Sequence, residues 1–166
     1  ILREEFAPYG YLKAEEVEFT ITDTAEIQKV EMKDDVPIGR IIINKKGEFL
    51  SEVSWNDMVA GAMDSIWGYV TGSLKDVTFE IYAREDIKAA DGESDDYYKK
   101  DELVATIKTD ELGIARTDDL PLGKYYVVEK ETADGFVLDG EPRDIDLTYR
   151  DQDTPVVTFD SEWQNS

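Results

Sequence analysis

The chain has 166 residues, with 39 Asp and Glu against 18 Lys and Arg, a formal net charge of −21, and neither cysteine nor histidine. Without His or Cys there is no Ser/His or Cys/His nucleophile pair, no thiolate or imidazole zinc site and no disulfide framework. A charge this negative repels phosphate backbones and anionic headgroups, which sets nucleic acid and membrane surfaces aside as partners. Hydrophobic residues make up 41% of the chain and include three Trp, nine Tyr and six Phe, enough for a packed core, so the acidity belongs to a surface.

Residues 1–35 contain two short alternating stretches, Phe19-Thr20-Ile21 and Val30-Glu31-Met32, and end at Asp35-Val36-Pro37, where proline disfavours continuation of a ladder. No apolar run approaches the roughly 18 residues of a transmembrane helix, and Ile1-Leu2-Arg3-Glu4 does not read as a signal peptide. From residue 39 the dominant period is two. Ile41, Ile43 and Lys45 share one face of a first strand, ended by a turn signal at Lys46-Gly47.

From Trp55 to Trp67 the alternation breaks. Trp55, Val59, Ala62, Met63 and Ile66 fall at helical spacing behind a Ser54 cap, which predicts a short helical insertion, weakened by Gly61. Period two returns with Val77, Phe79, Ile81 and Ala83. Residues 89–100, with Asp91, Glu93, Asp95 and Asp96, read as an exposed loop. Further strands place Leu103, Ala105 and Ile107 together, then Tyr125, Val127 and Glu129, then Ile145, Leu147 and Tyr149. The last places Val157, Phe159, Ser161, Trp163 and Asn165 on one face. Turn signals at Asp91-Gly92, Leu112-Gly113, Leu122-Gly123, Asp134-Gly135 and Asp139-Gly140 separate them. Many short strands with regular turns predict an all-β chain folded as an antiparallel sandwich or Greek-key barrel.

An internal echo divides the chain. Residues 4–11 and 129–136 each place Glu six residues before a Gly that is followed by an aromatic, and each is followed by two short strands. Residues 1–35 therefore read as the C-terminal part of a preceding repeat, and residues 36–166 as a complete one.

The stretches Gly39-Arg40-Ile41-Ile42-Ile43-Asn44-Lys45-Lys46-Gly47-Glu48, Val77-Thr78-Phe79-Glu80-Ile81-Tyr82-Ala83, Thr106 to Gly113 and Leu120 to Glu129 together resemble the prealbumin-like pilin domain of Gram-positive surface proteins, the collagen-adhesin B-repeat type. The resemblance spans nearly all of residues 36–166, and residues 4–35 resemble the tail of the copy before. It implies an immunoglobulin-like sandwich of reversed topology. It also implies an autocatalytic isopeptide bond between a first-strand Lys and a last-strand Asn or Asp, assisted by a Glu. Carried over by position, Lys45 matches the nucleophile, Glu129 the assisting acid and Asn165 the acceptor. In the partial copy Glu4 matches the Glu and Asp34 the acceptor, without a partner Lys.

The residues themselves agree with that assignment. Lys45, Glu129 and Asn165 each continue the apolar face of a strand, so each should be buried, where an unpaired charge is costly and uncharged forms are favoured. A neutral amine can attack the Asn side-chain carbonyl, while a neutral carboxyl polarises that carbonyl and passes a proton to departing ammonia. Two alternatives stand beside these: Lys46 for the nucleophile, and Asp160, of opposite parity, for the acceptor if the last strand slips at Asp160-Ser161. The acidic loop lacks the ligand spacing of an EF-hand and reads as solvated, and Trp55, Trp67 and Trp163 read as core rather than as a sugar platform.

The expected function is structural: a repeat of an extracellular, cell-wall-attached adhesin or pilin-like stalk. It is not an enzyme, needs no cofactor or metal, and has neighbouring repeats of the same chain as partners. The alternative is a binding module that contacts a host matrix protein or glycan through residues 53–69 or 89–100.

Overall fold

The computed structural model of the chain describes residues 1–53 and 66–165. Among these residues there are nine strands and no helix. One sheet holds β1 (Ile38–Val53), β2 (Ile66–Ser73), β5 (Ile114–Arg116), β6 (Leu120–Pro121) and β9 (Val156–Asn165). The other runs in the order β4 (Leu103–Lys108), β3 (Thr78–Ala83), β7 (Gly123–Glu131), β8 (Arg143–Leu147), all antiparallel. The alternation that predicted strands reappears as alternating burial. β3 buries Phe79, Ile81 and Ala83, β7 buries Tyr125, Val127 and Glu129, and β8 buries Ile145 and Leu147. These side chains pack against Ile41, Ile43, Ala115, Leu120, Val157 and Trp163 of the facing sheet, forming one sandwich core.

Several expectations need correction. The sandwich is not wholly antiparallel, because β1 and β9 pair in parallel from Ile38↔Val156 to Gly47↔Asn165. Parallel neighbours need a long connection, and here the whole domain lies between them. β1 does not turn at Lys46-Gly47 but continues to Val53, paired with β2. Gly47 is there for clearance: a Cβ on it would lie 2.3 Å from Phe136 Cε1 and 2.8 Å from Leu74 Cδ1. The helix expected from Trp55 to Trp67 falls mostly on residues 54–65, which lie outside the described residues. Its last two positions, Ile66 and Trp67, belong to β2, opposite Val53 and Glu52.

The strands expected at Phe19-Thr20-Ile21 and Val30-Glu31-Met32 are not formed. Residues 1–35 hold a single isolated bridge, Leu2↔Val17. A strand needs a partner edge to satisfy its backbone groups, and these stretches have none among the described residues; Ile21 and Ile27 are 81% and 91% exposed. The segment nevertheless touches the domain. Lys13 N–H donates to Gln152 O, the Tyr149 hydroxyl donates to Tyr11 O, and the Tyr9 and Tyr149 rings meet edge to face.

Tyr125 has the only hydroxyl among the named core side chains. It is fully buried, its hydroxyl donates to Pro121 O at 2.6 Å, and burial pushes its phenol pKa up. A raised folded-state value means that the contribution is complete below the ordinary tyrosine value of about 10 and is lost as pH rises beyond it. Tyr125→Phe is expected to cost about 1 kcal/mol in chemical denaturation at neutral pH. The difference between the two proteins should shrink above pH ~10; a constant difference would contradict this.

Candidate functional site

Lys45 lies two residues beyond Ile43 on the buried face of β1. Both edges of the strand hold it there. Its N–H donates to Gly113 O at 2.7 Å and its carbonyl accepts from Leu74 N–H at 3.0 Å, while β9 pairs along the opposite edge with Lys45 beside Trp163. Gly113 has φ 73°, and a Cβ on it would stand 2.6 Å from Lys45 O, so this approach requires glycine. Asn165 sits two residues after Trp163, on the same buried parity of β9. Glu129 comes from the facing sheet, on β7, paired with Phe79 of β3.

The three side chains meet in the core at the end of the sandwich where β1 and β9 both run out of their shared ladder. Lys45 Nζ is 2.6 Å from Glu129 Oε2 and 2.6 Å from Asn165 Oδ1. The Asn165 amide donates from Nδ2 to Glu129 Oε1 at 2.8 Å, closing a triangle of contacts. Lys45, Glu129 and Asn165 are 1%, 3% and 3% exposed. The second N–H of Nδ2 faces Thr132 Oγ1 at 3.1 Å. Aromatic rings form the wall. Phe79 meets Trp163 edge to face with centroids 5.4 Å apart, and Lys45 Nζ stands 5.8 Å from the Phe79 centroid. Arg143 covers the Trp163 ring with its guanidinium 4.6 Å from the centroid, and bonds Asp139 at 2.6 Å, which holds the Asp139 carboxyl below the usual carboxylate range.

A buried Lys–Glu pair is a poor way to gain stability, because desolvating both groups offsets most of their attraction. What distinguishes this site is that one carboxyl contacts both the amine and the amide nitrogen. Its two oxygens sit where a proton leaving Nζ and a proton arriving at Nδ2 would have to pass.

The alternatives are placed elsewhere. Lys46 points to the outer face and pairs with Glu162. Asp160 is exposed and accepts from Asn44 Nδ2 at 2.8 Å, and the β1–β9 register runs without a slip through Asp160-Ser161. Glu4 accepts from the Ala14 N–H at 2.7 Å, and no hydrogen bond among the described residues joins it to Asp34. Asp91 folds its own loop, accepting from the N–H groups of Glu93 and Ser94. Trp163 is core, Trp55 lies outside the described residues, and the Trp67 side chain is not described. Sequence reasoning missed Thr132 and Arg143. Thr132 follows the last residue of β7, where strand parity stops predicting which way a side chain faces.

The model of the SpaA prealbumin-like fold domain family matches residues 69–163. Among solved structures, the TIE protein of Bacillus anthracis is 22% identical, with a TM-score of 0.54 over 98% of this chain and 24% of its own. GBS52, the minor pilin of Streptococcus agalactiae, is 17% identical, with a TM-score of 0.46 over 81% of this chain and 47% of its own. The major pilin SpaD of Corynebacterium diphtheriae is 22% identical, with a TM-score of 0.45 over 77% of this chain and 32% of its own. The chain thus spans about a quarter of the TIE protein and less than half of either pilin. No curated protein sequence matches it. With more than half of its length matched by the family model, and with two facing sheets carrying the all-β core, the chain belongs to the SpaA family of prealbumin-like domains.

Proposed function

We propose that this chain is a tension-bearing repeat of an extracellular, cell-wall-attached stalk, stiffened by an amide bond between Lys45 Nζ and the side-chain carbonyl carbon of Asn165. The observation that carries the reading is the shared contact of Glu129, at 2.6 Å to the amine and 2.8 Å to the amide nitrogen, in a site closed to water. Residues 1–35 are then the end of the preceding repeat, lying against this one.

The chemistry follows from those contacts. Lys45 first gives one proton to Glu129 Oε2, and the freed nitrogen lone pair adds to the Asn165 carbonyl, giving a tetrahedral centre with the charge on Oδ1. Glu129 takes a proton from Nζ and delivers one to Nδ2. The carbon–nitrogen bond to Nδ2 breaks as the carbonyl re-forms, and ammonia departs. One amide is exchanged for another, so no oxidant, cofactor or metal takes part, and the mass falls by one ammonia, about 17 Da.

The fold makes this bond mechanically useful. Because β1 and β9 are parallel, tension applied at the start of β1 and the end of β9 shears one strand along the other. A bond from Lys45 to Asn165 routes that load along β1 as far as Lys45 and then directly to the end of β9. The residues between the two linked positions carry none of it. Force extension of a tandem array of the chain tests this. Lys45→Ala should release the 120-residue interval between the two positions as a step of about 400 Å, whereas the native sequence should show no such step. A full-length step in the native protein would contradict the reading.

A further inference from the structure

Glu129 has two tasks in the proposed reaction that conflict. As an acceptor for the Asn165 N–H it holds the amide with Oδ1 toward Lys45, but once it carries the proton destined for Nδ2 it can no longer accept from that nitrogen. Something else must keep the amide from turning over at that moment. A flipped amide would turn Nδ2 toward Nζ, occupy the amine lone pair that has to attack, and move the leaving group away from the acid. Thr132 Oγ1 is the second acceptor on Nδ2, at 3.1 Å, and it stays an acceptor whatever the state of Glu129. Lys45, Glu129 and Asn165 are all closed to solvent, whereas Thr132 is half-buried, so among the described residues Thr132 is the partner of the amide nitrogen that itself reaches water.

We propose that Thr132 is a positioning residue for cross-link formation, resting on the reaction assigned above: it fixes the Asn165 amide orientation and marks the side from which ammonia leaves. The role has a signature that packing alone would not give. Nδ2 is lost in the reaction, so the hydrogen bond to Thr132 exists before the bond forms and not after. Thr132 should therefore matter for the rate of reaction and not for the stability of the product.

The test uses the full chain made in a cell-free system, pulse-labelled, quenched in acid denaturant at intervals and weighed intact. Thr132→Val, which keeps the shape and removes the hydroxyl, should slow the loss of ammonia by at least about tenfold. Thr132→Ser should restore the native rate to within about twofold. Fully reacted Thr132→Val protein should melt at the temperature of reacted native protein. A native rate for valine, an equal defect for serine, or a reacted valine protein with a lowered melting temperature would each overturn the positioning role while leaving the bond intact. No mass loss in the native chain would overturn the bond itself and the role with it.

Discussion

Glu129→Ala should leave the chain without its cross-link and lower its melting temperature by more than any other single substitution at the site. Joining positions 120 residues apart removes about 5 kcal/mol of chain entropy from the unfolded state, on the estimate used for disulfides. For a domain of this size each kcal/mol corresponds to roughly 2–4 °C, so losing the bond alone should cost about 10–20 °C. Glu129→Ala also leaves the Lys45 amine buried beside Asn165 with no anionic partner, a situation that costs about 3–5 kcal/mol in other buried pairs. Asn165→Ala separates the two effects, because it removes the bond and keeps the contact between Lys45 and Glu129. Calorimetric melting should therefore rank native above Asn165→Ala and Asn165→Ala above Glu129→Ala. Equal melting of native and Asn165→Ala protein would show that position 165 carries no covalent link.

The second large effect is expected at Phe79. Its ring is fully buried, meets Trp163 edge to face, stands under Lys45 Nζ and lies beside Glu129 across the β3–β7 pair. Truncating a buried phenylalanine costs about 3–5 kcal/mol through lost burial and the cavity left behind. At this place the cavity would also admit water to the amine and the carboxyl, weakening the low-dielectric setting in which the proton transfers are proposed to run. Phe79→Ala should accordingly lower stability by about 3–5 kcal/mol in guanidinium denaturation, and leave a fraction of freshly folded protein at its unreacted mass. Phe79→Leu, which refills most of the space, should show a smaller defect in both measurements. An alanine variant that is destabilised but reacts completely would separate the packing role of Phe79 from its shielding of the site.

What could be read in the sequence was parity. Lys45, Glu129 and Asn165 each extend an apolar period-two run, and that alone places them on buried faces. The same rule, once the register is known, sends Lys46 and Asp160 outward. Parity carries no strand direction, so the parallel pairing of β1 with β9, which sets how load would cross the domain, was not legible. Glycine is ambiguous in the same way. At Gly113 it serves a turn with positive φ, and at Gly47 it clears space for Phe136 inside a strand, yet both look like turn signals. β5 and β6 have three and two residues, too short for any period to register. Phe19-Thr20-Ile21 and Val30-Glu31-Met32 alternate well enough to suggest strands, but alternation cannot supply a partner edge, and the described residues offer none. Thr132 lies just past the end of β7, where the backbone leaves the ladder and only the fold determines that its hydroxyl turns toward Asn165.

The cross-link is tested most directly by the intact mass of the folded native chain, followed by digestion and fragment sequencing. The expected result is a mass about 17 Da below the sum of the sequence and a branched peptide joining Lys45 to Asn165, both absent from Glu129→Ala. A folded native protein at its full sequence mass, with Lys45 and Asn165 recovered on separate linear peptides, would contradict it.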